Sequence, residues 1–264
     1  MAYRLSASKL KLFSTCPQAF HFKYERKLPD KGMFAQPELG IALHKALEDF
    51  YKTWHYQELI APRSRILESW DKVSKELEPK NVSEGFRRLN LYYDRFIERP
   101  GLMKKPLGIE QFIKRKVVIH GIEFELIGRY DRLDMEDGRL TLIDYKGGAA
   151  PRKSVVLDLQ SGFYDWILEG IYEKSLGEWK IIYLNSGEQV SYLVTEEHRD
   201  QVRQLIGNLA KAIAEDEQWT PCESDACEQC TFKLYCPAWN QEQKVNPMSR
   251  RRLDPIQYCL NIDV

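Results

Sequence analysis

The chain has 264 residues, 30% of them charged and 12% aromatic, with 39 basic and 39 acidic side chains. That length allows one large domain or two small ones with ample core, and the balanced charge gives no argument for a nucleic-acid partner. Any basic surface must be a local patch at Lys104-Lys105, Lys114-Arg115-Lys116 or Arg250-Arg251-Arg252, runs that are ordinarily just solvated faces. No apolar run approaches the roughly 20 residues of a membrane span and no signal-peptide core opens the chain, so a cytoplasmic protein is expected.

From the N-terminus, Ser6 or Ser8 can cap a helix running to Thr15. Cys16-Pro17 then breaks the chain before a second short helix, which reaches Tyr24. Residues 39–54 predict a longer helix with an apolar stripe of Leu43, Leu47, Phe50, Tyr51 and Trp54. Residues 64–98 predict two more helices, broken near Glu78-Pro79-Lys80. Their Trp70, Phe86, Tyr92, Tyr93 and Phe96 lie at the helical spacing of a core face, although aromatics can also stack nucleic-acid bases.

β-rich sequence follows. Residues 108–119, 127–135 and 139–146 read as strands, a later strand pair spans 180–194 with a turn at Ser186-Gly187, and helical periodicity covers 155–173 and 196–215. This order predicts an α/β fold with a mixed sheet flanked by helices.

The hairpin turn at Asp137-Gly138 is a strong signal, because both central residues must adopt positive φ. It sets Asp131 directly opposite Asp144, a like-charge pair that should destabilise a sheet. A weaker His120-Gly121 turn would set Glu110 opposite Asp131, unless a bulge shifts the register. Three acids in one row suit a hard, oxygen-liganded cation such as Mg²⁺ or Mn²⁺. The plainer alternative is an ion-pair cluster with Arg129 or Lys146. Lys146 projects to the same side as Asp144, and acid, acid and lysine around a divalent ion point to phosphodiester hydrolysis.

These residues resemble a known family. Asp131 followed by Asp144-Tyr145-Lys146, within "IGRYDRLD…LIDYKGG", is similar to the PD-(D/E)XK nuclease motif in its RecB-like branch. Gly40-Ile41-Ala42-Leu43-His44 matches that branch's upstream Gly-x-x-x-His, and Gln160-Ser161-Gly162-Phe163-Tyr164 its Gln-x-x-x-Tyr. The resemblance implies a restriction-endonuclease-like core. His44, Asp131 and Asp144 would be metal ligands, joined by the Tyr145 carbonyl and, from the strand register, Glu110. Lys146 would be catalytic, with Gln160 and Tyr164 bordering the site and the DNA path. Gly147 departs from the family, whose members usually carry Thr or Ser there.

Four cysteines cluster at 222, 227, 230 and 236, with Cys16 and Cys259 apart. In a reducing compartment this suggests metal. Cys227, Cys230 and Cys236 can share one centre, and spacing leaves the fourth ligand open: Cys222 would complete a local zinc site. Nucleases of the AddB and CRISPR-associated exonuclease types carry one cysteine before the nuclease motifs and a C-x2-C-x5-C group after them, binding a [4Fe–4S] cluster. "FSTCPQAFHFKY" and "CEQCTFKLYCPAW" resemble that pair, which implies Cys16 as fourth ligand, with Cys222 and Cys259 as spare thiols. Such a staple would close a loop of about 210 residues and restrict the unfolded chain.

The resemblance implies one nuclease domain over residues 1–240, with a helical insertion at 56–106 and a tail at 241–264. It implies a metal-dependent DNA exonuclease acting on single-stranded ends in repair or CRISPR-type processing. A DNA-end-binding assembly module that needs a repair or CRISPR-adaptation partner is the alternative; a zinc-stapled RNA-processing enzyme is a more remote one.

Overall fold

The computed structural model describes residues 2–29, 38–148 and 159–239. Cys259, the arginine run at 250–252 and the start of the helix expected from residue 155 lie outside them. The chain divides into two compact units: residues 1–35, 116–126 and 203–264 in one, and residues 36–115 and 127–202 in the other.

The second unit is an α/β layer. Helix α3 (Glu38–Lys52) lays Leu43, Leu47, Phe50 and Tyr51 into a core shared with α4 (Arg63–Val73) and α5 (Pro79–Tyr93). The expected break falls just before Pro79, which opens α5 because its missing N–H is not needed in the first turn. Trp54, just beyond α3, joins this core, as do Trp70, Tyr92 and Tyr93, at 1–3% exposure. Each such side chain contributes about 1.5–3 kcal/mol of burial. Of the five aromatics able to stack bases, those three are therefore packing residues and Phe96 packs against the same core, while Phe86 is exposed.

Strand β2 (Gly108–Ile119) pairs with β3 (Ile122–Glu136), and β4 (Arg139–Lys146) returns antiparallel to β3. The β3–β4 ladder runs from Glu136 opposite Arg139 to Arg132 opposite Ile143, the register set by the Asp137-Gly138 turn. Strand β4 also pairs in parallel with β5 (Leu176–Tyr183), which pairs antiparallel with β6 (Glu188–Leu193). With neighbours along both edges, β4 is buried on both faces from Leu140 to Tyr145. Helix α6 (Leu159–Tyr172) buries Phe163, Ile167 and Leu168. Its fully buried Asp165 accepts the Leu176 N–H at 2.7 Å and sits 3.1 Å from the Arg199 guanidinium.

In the first unit, β1 (Tyr3–Leu5) pairs in parallel with the start of β3, a three-residue strand too short to read from sequence. Helix α1 (Ala7–Thr15) is capped by Ser6, whose side chain accepts the Lys9 N–H at 3.2 Å. Helix α2 (Pro17–Phe20) passes into one widened turn at His21–Glu25. Helix α7 (Glu196–Glu215) spans the predicted range and leads to the cysteine knuckle. Among the described residues no helix is long and apolar enough to cross a membrane.

Candidate active site

The site lies where β3 and β4 part. Beyond Arg132 and Ile143, the Tyr145 N–H bonds not to a strand carbonyl but to the Asp131 carboxylate, at 2.7 Å. Strand β4 meanwhile continues along β5, with Asp144 opposite Ile181 and Lys146 opposite Tyr183. The parting gives the two aspartates different surroundings.

Glu110 arrives through a bulge. Both residues of the His120-Gly121 turn have positive φ, yet the Leu107 N–H bonds to the Leu133 carbonyl at 2.7 Å, which leaves β2 one residue longer than β3 between turn and bond. Glu110 absorbs that residue with a left-handed backbone, φ 47°, a conformation that costs a non-glycine residue about 1–2 kcal/mol. The result is a trio: His44 Nδ1 lies 3.2 Å from Glu110 Oε1 and 3.3 Å from Asp131 Oδ1. One ligand atom from each of the three residues falls within 4.8 Å of the others. The row of three acids expected from the register is thus replaced by two acids and a histidine, with Asp144 outside the trio.

Burial alone would keep His44 neutral, but hydrogen bonds to Asp131 and Glu110 and the charge of both carboxylates outweigh it and raise its pKa to about 10. Without a metal the two carboxylates thus favour the protonated ring, which must give up a proton to ligate an ion. The ring Nδ1–H faces the two carboxylates, and its Nε2–H donates to the Tyr145 carbonyl at 3.1 Å. A positive charge already stands among the oxygens that would receive a cation.

Asp144 is buried, and that burial, reinforced by the Asp131 charge and opposed by Lys146 and His44, pushes its pKa up to about 6. Gln160 donates to Oδ1 at 3.1 Å. Lys146 Nζ lies 2.7 Å from Oδ2, so the ion-pair alternative is also realised, yet this buried oxygen receives no hydrogen bond of favourable direction. The lysine's charge and contact oppose the upward shift without reversing it. The donor set fits a hard cation through the clustering of His44, Glu110 and Asp131.

Tyr164, one turn after Gln160 on α6, donates its hydroxyl to the Arg129 carbonyl at 2.7 Å. Gly128 makes room for it, because a Cβ there would lie 2.5 Å from the Tyr164 ring. Gly40, one turn before His44, leaves open space around it. One residue without a signal in the sequence also reaches the site: Arg88 of α5 donates to the Gly147 carbonyl at 2.8 Å.

In the first unit, Cys16, Cys227, Cys230 and Cys236 are free and line one cavity of about 600 Å³. Burial pushes the Cys230 and Cys236 thiols up, and charge on their cysteine neighbours adds to it. The Cys222 N–H donates to Cys16 Sγ at 3.4 Å.

The pattern of the PD-(D/E)XK nuclease superfamily matches residues 4–237. The chain belongs to that superfamily. Among curated relatives, an ATP-dependent helicase/deoxyribonuclease subunit of Clostridium botulinum (strain Hall) is 29% identical over 181 residues, covering 55% of this chain and 16% of the relative. The protein of the same name from Caldanaerobacter subterraneus subsp. tengcongensis is 28% identical over 212 residues, covering 64% of this chain and 18% of the relative. This superfamily member therefore spans less than a fifth of those relatives' length. Its fold is similar to that of a Eubacterium rectale crystal structure named "Putative exonuclease", with a TM-score of 0.54, 10% identity and 86% of each chain covered.

Proposed function

We propose that this chain is a RecB-like, metal-dependent deoxyribonuclease that acts as an exonuclease on single-stranded DNA ends, with residues 1–240 as its nuclease domain. The observation that carries the reading is the convergence of His44, Glu110 and Asp131 beside the Asp144–Lys146 pair, in a member of a nuclease superfamily. With the Asp144 carboxylate and the Tyr145 carbonyl, these residues would hold Mg²⁺ or Mn²⁺. When bound, such an ion lowers the pKa of water and offsets charge developing on a phosphate.

The chain's own residues divide the remaining work. Lys146, 43% exposed at its side chain, presents a positive charge toward a phosphate while anchored to Asp144. Gln160 fixes the Asp144 carboxylate from α6, and Tyr164 braces the strand at Arg129. Asp131, tied to the Tyr145 N–H, holds β3 and β4 at their parting.

Cys16, Cys227, Cys230 and Cys236 are proposed to hold a [4Fe–4S] cluster with a structural role. A tetrahedral zinc–thiolate site needs sulfurs about 3.8 Å apart. Among the described residues no three cysteine sulfurs meet within 4.8 Å, whereas His44, Glu110 and Asp131 do, which favours a larger group in the 600 Å³ cavity.

The test uses protein purified without oxygen and single- and double-stranded DNA labelled separately at each end, with Mg²⁺, Mn²⁺ or EDTA. Metal-dependent cleavage that disappears in Lys146→Ala at equal cluster absorbance supports the reading. Folded, cluster-loaded protein that binds DNA and cuts nothing would favour the second reading, a DNA-end-binding module that acts with a repair or CRISPR-adaptation partner. The relatives' designation as a subunit keeps that reading in play.

A further inference from the structure

We propose that Arg88 is a phosphate-binding residue of this site, its guanidinium contacting a backbone phosphate of the bound strand next to the one at Lys146. The inference rests on the nucleic-acid reading above and goes beyond its motif residues.

Arg88 projects from α5, in the helical segment for which the sequence offered no function. Its Nε donates to Glu84 Oε1 at 2.7 Å and its Nη1 to the Gly147 carbonyl at 2.8 Å. The side chain is 14% exposed, so the fork is held in one orientation. Nη2 has no hydrogen-bond partner among the described residues and is not among the buried atoms lacking one. One face of a pre-organised guanidinium is thus left for a ligand, and its ordering cost was met in folding.

The local charge favours an anion. Arg87 and Arg88 share the single carboxylate of Glu84, whose pKa their hydrogen bonds hold down at about 2. Two guanidiniums against one carboxylate leave a net positive charge, and Lys146 with Asp144 adds none. Among the described residues the approach is open as well: Gly147 and Gly148 are exposed and carry no side chain, and a Cβ at Gly148 would meet nothing there. A phosphate resting on this ribbon would lie within reach of both Lys146 and Arg88. A purely structural clamp between α5 and the end of β4 would need the Gly147 bond but not a free Nη2.

The test scans single-stranded oligonucleotides carrying one neutral methylphosphonate at successive positions. Binding to the full chain is measured in Ca²⁺, and cleavage in Mg²⁺ is followed in parallel. At one position the neutral linkage should weaken wild-type binding about tenfold while leaving Arg88→Ala, itself about tenfold weaker, unaffected. The salt slope should fall by about 0.7 in Arg88→Ala, the value of one single-strand phosphate contact. Arg88→Lys should recover part of the affinity.

If the two losses simply multiply at every position, or Arg88→Ala binds as wild type, the proposal is overturned. Should Arg88→Ala melt, Arg88→Gln carries the same scan, because its amide can still reach Glu84 without the charge. A wild type that cuts nothing but keeps the coupled position removes the nuclease reading and retains this contact. Cleavage with only multiplicative losses does the reverse.

Discussion

On one face of the β3–β4 hairpin, Arg132 and Asp134 of β3 form a largely buried ion pair, with Arg132 Nε donating to Asp134 Oδ1 at 2.8 Å. Arg132 also donates to the Tyr51 hydroxyl, which bonds to Tyr92 at 2.6 Å, and Tyr92 in turn to Tyr145 at 3.2 Å. On the other face Asp144 is equally buried, but one of its oxygens lacks a well-directed donor and Asp131 adds like charge beside it. The two clusters share a hairpin and are both largely buried, and they differ in completeness. A closed network fixes the strand, whereas an open one keeps an acceptor oxygen for a cation, so the first should govern stability and the second activity.

The largest expected effect tests the open face. Asp131→Asn and Lys146→Ala should each lower metal-dependent cleavage at least about 100-fold on end-labelled single-stranded DNA. Melting temperature in EDTA should stay within a few degrees of wild type. A variant that loses fold and cleavage together would erase the contrast between the faces.

The closed face should show the opposite pattern. Asp134→Ala strands a buried guanidinium and should cost about 3–5 kcal/mol by urea denaturation, with cleavage per folded molecule retained. Replacing the pair together, as Arg132→Met with Asp134→Leu, should recover much of that loss. If the double variant is no better than the single one, the network is worth more than its ion pair.

A pH titration in EDTA sharpens the contrast further. The His44 pKa is raised from its ordinary 6.5 to about 10, so its contribution is fully present below pH 6.5 and is lost as pH rises toward 10. Asp144 is raised from 3.8 to about 6, so the folded state binds the extra proton and stability falls as pH rises between those values. Urea midpoints of the metal-free protein should therefore decline through both windows. His44→Gln should flatten the upper one, and a decline unchanged in that variant would assign it elsewhere.

The contrast also explains what was legible in the sequence. The β3–β4 register followed from Asp137-Gly138 alone, because a two-residue turn with positive φ at both positions leaves one pairing. Helix α7 and strand β4 were readable from periodicity and length to their end residues. Asp131, Asp144 and Lys146 could be put forward as candidates because a strand reports its faces by alternation. His44, Gln160 and Tyr164 came from motif resemblance, since one histidine on an amphipathic helix has no local signature. His44, Glu110 and Asp131 were each named as candidate ligands, but the route of Glu110 was not, because the one-residue excess in β2 becomes visible only when β2 and β3 are paired. Arg88 was invisible for a related reason: its partner Gly147 lies 59 residues away, and arginine on a helix surface is ordinarily solvated.

The smallest expected effect falls on the residue that belongs to both faces. Tyr145 gives its carbonyl to His44 on the open side and its hydroxyl to Tyr92 on the closed side. Tyr145→Phe removes the hydroxyl and leaves the carbonyl. The lost hydrogen bond should cost about 1 kcal/mol, less than a buried unpartnered group would, because Tyr92 keeps Tyr51 as a partner. If the faces are separate devices, cleavage by Tyr145→Phe stays within about twofold of wild type while its urea midpoint falls. If cleavage drops tenfold or more with the fold intact, the closed network is positioning the carbonyl, and the strand transmits order from the complete cluster to the incomplete one. Measuring kcat and KM separately decides the matter: a positioning defect lowers kcat at constant KM, whereas general loosening of the site moves both.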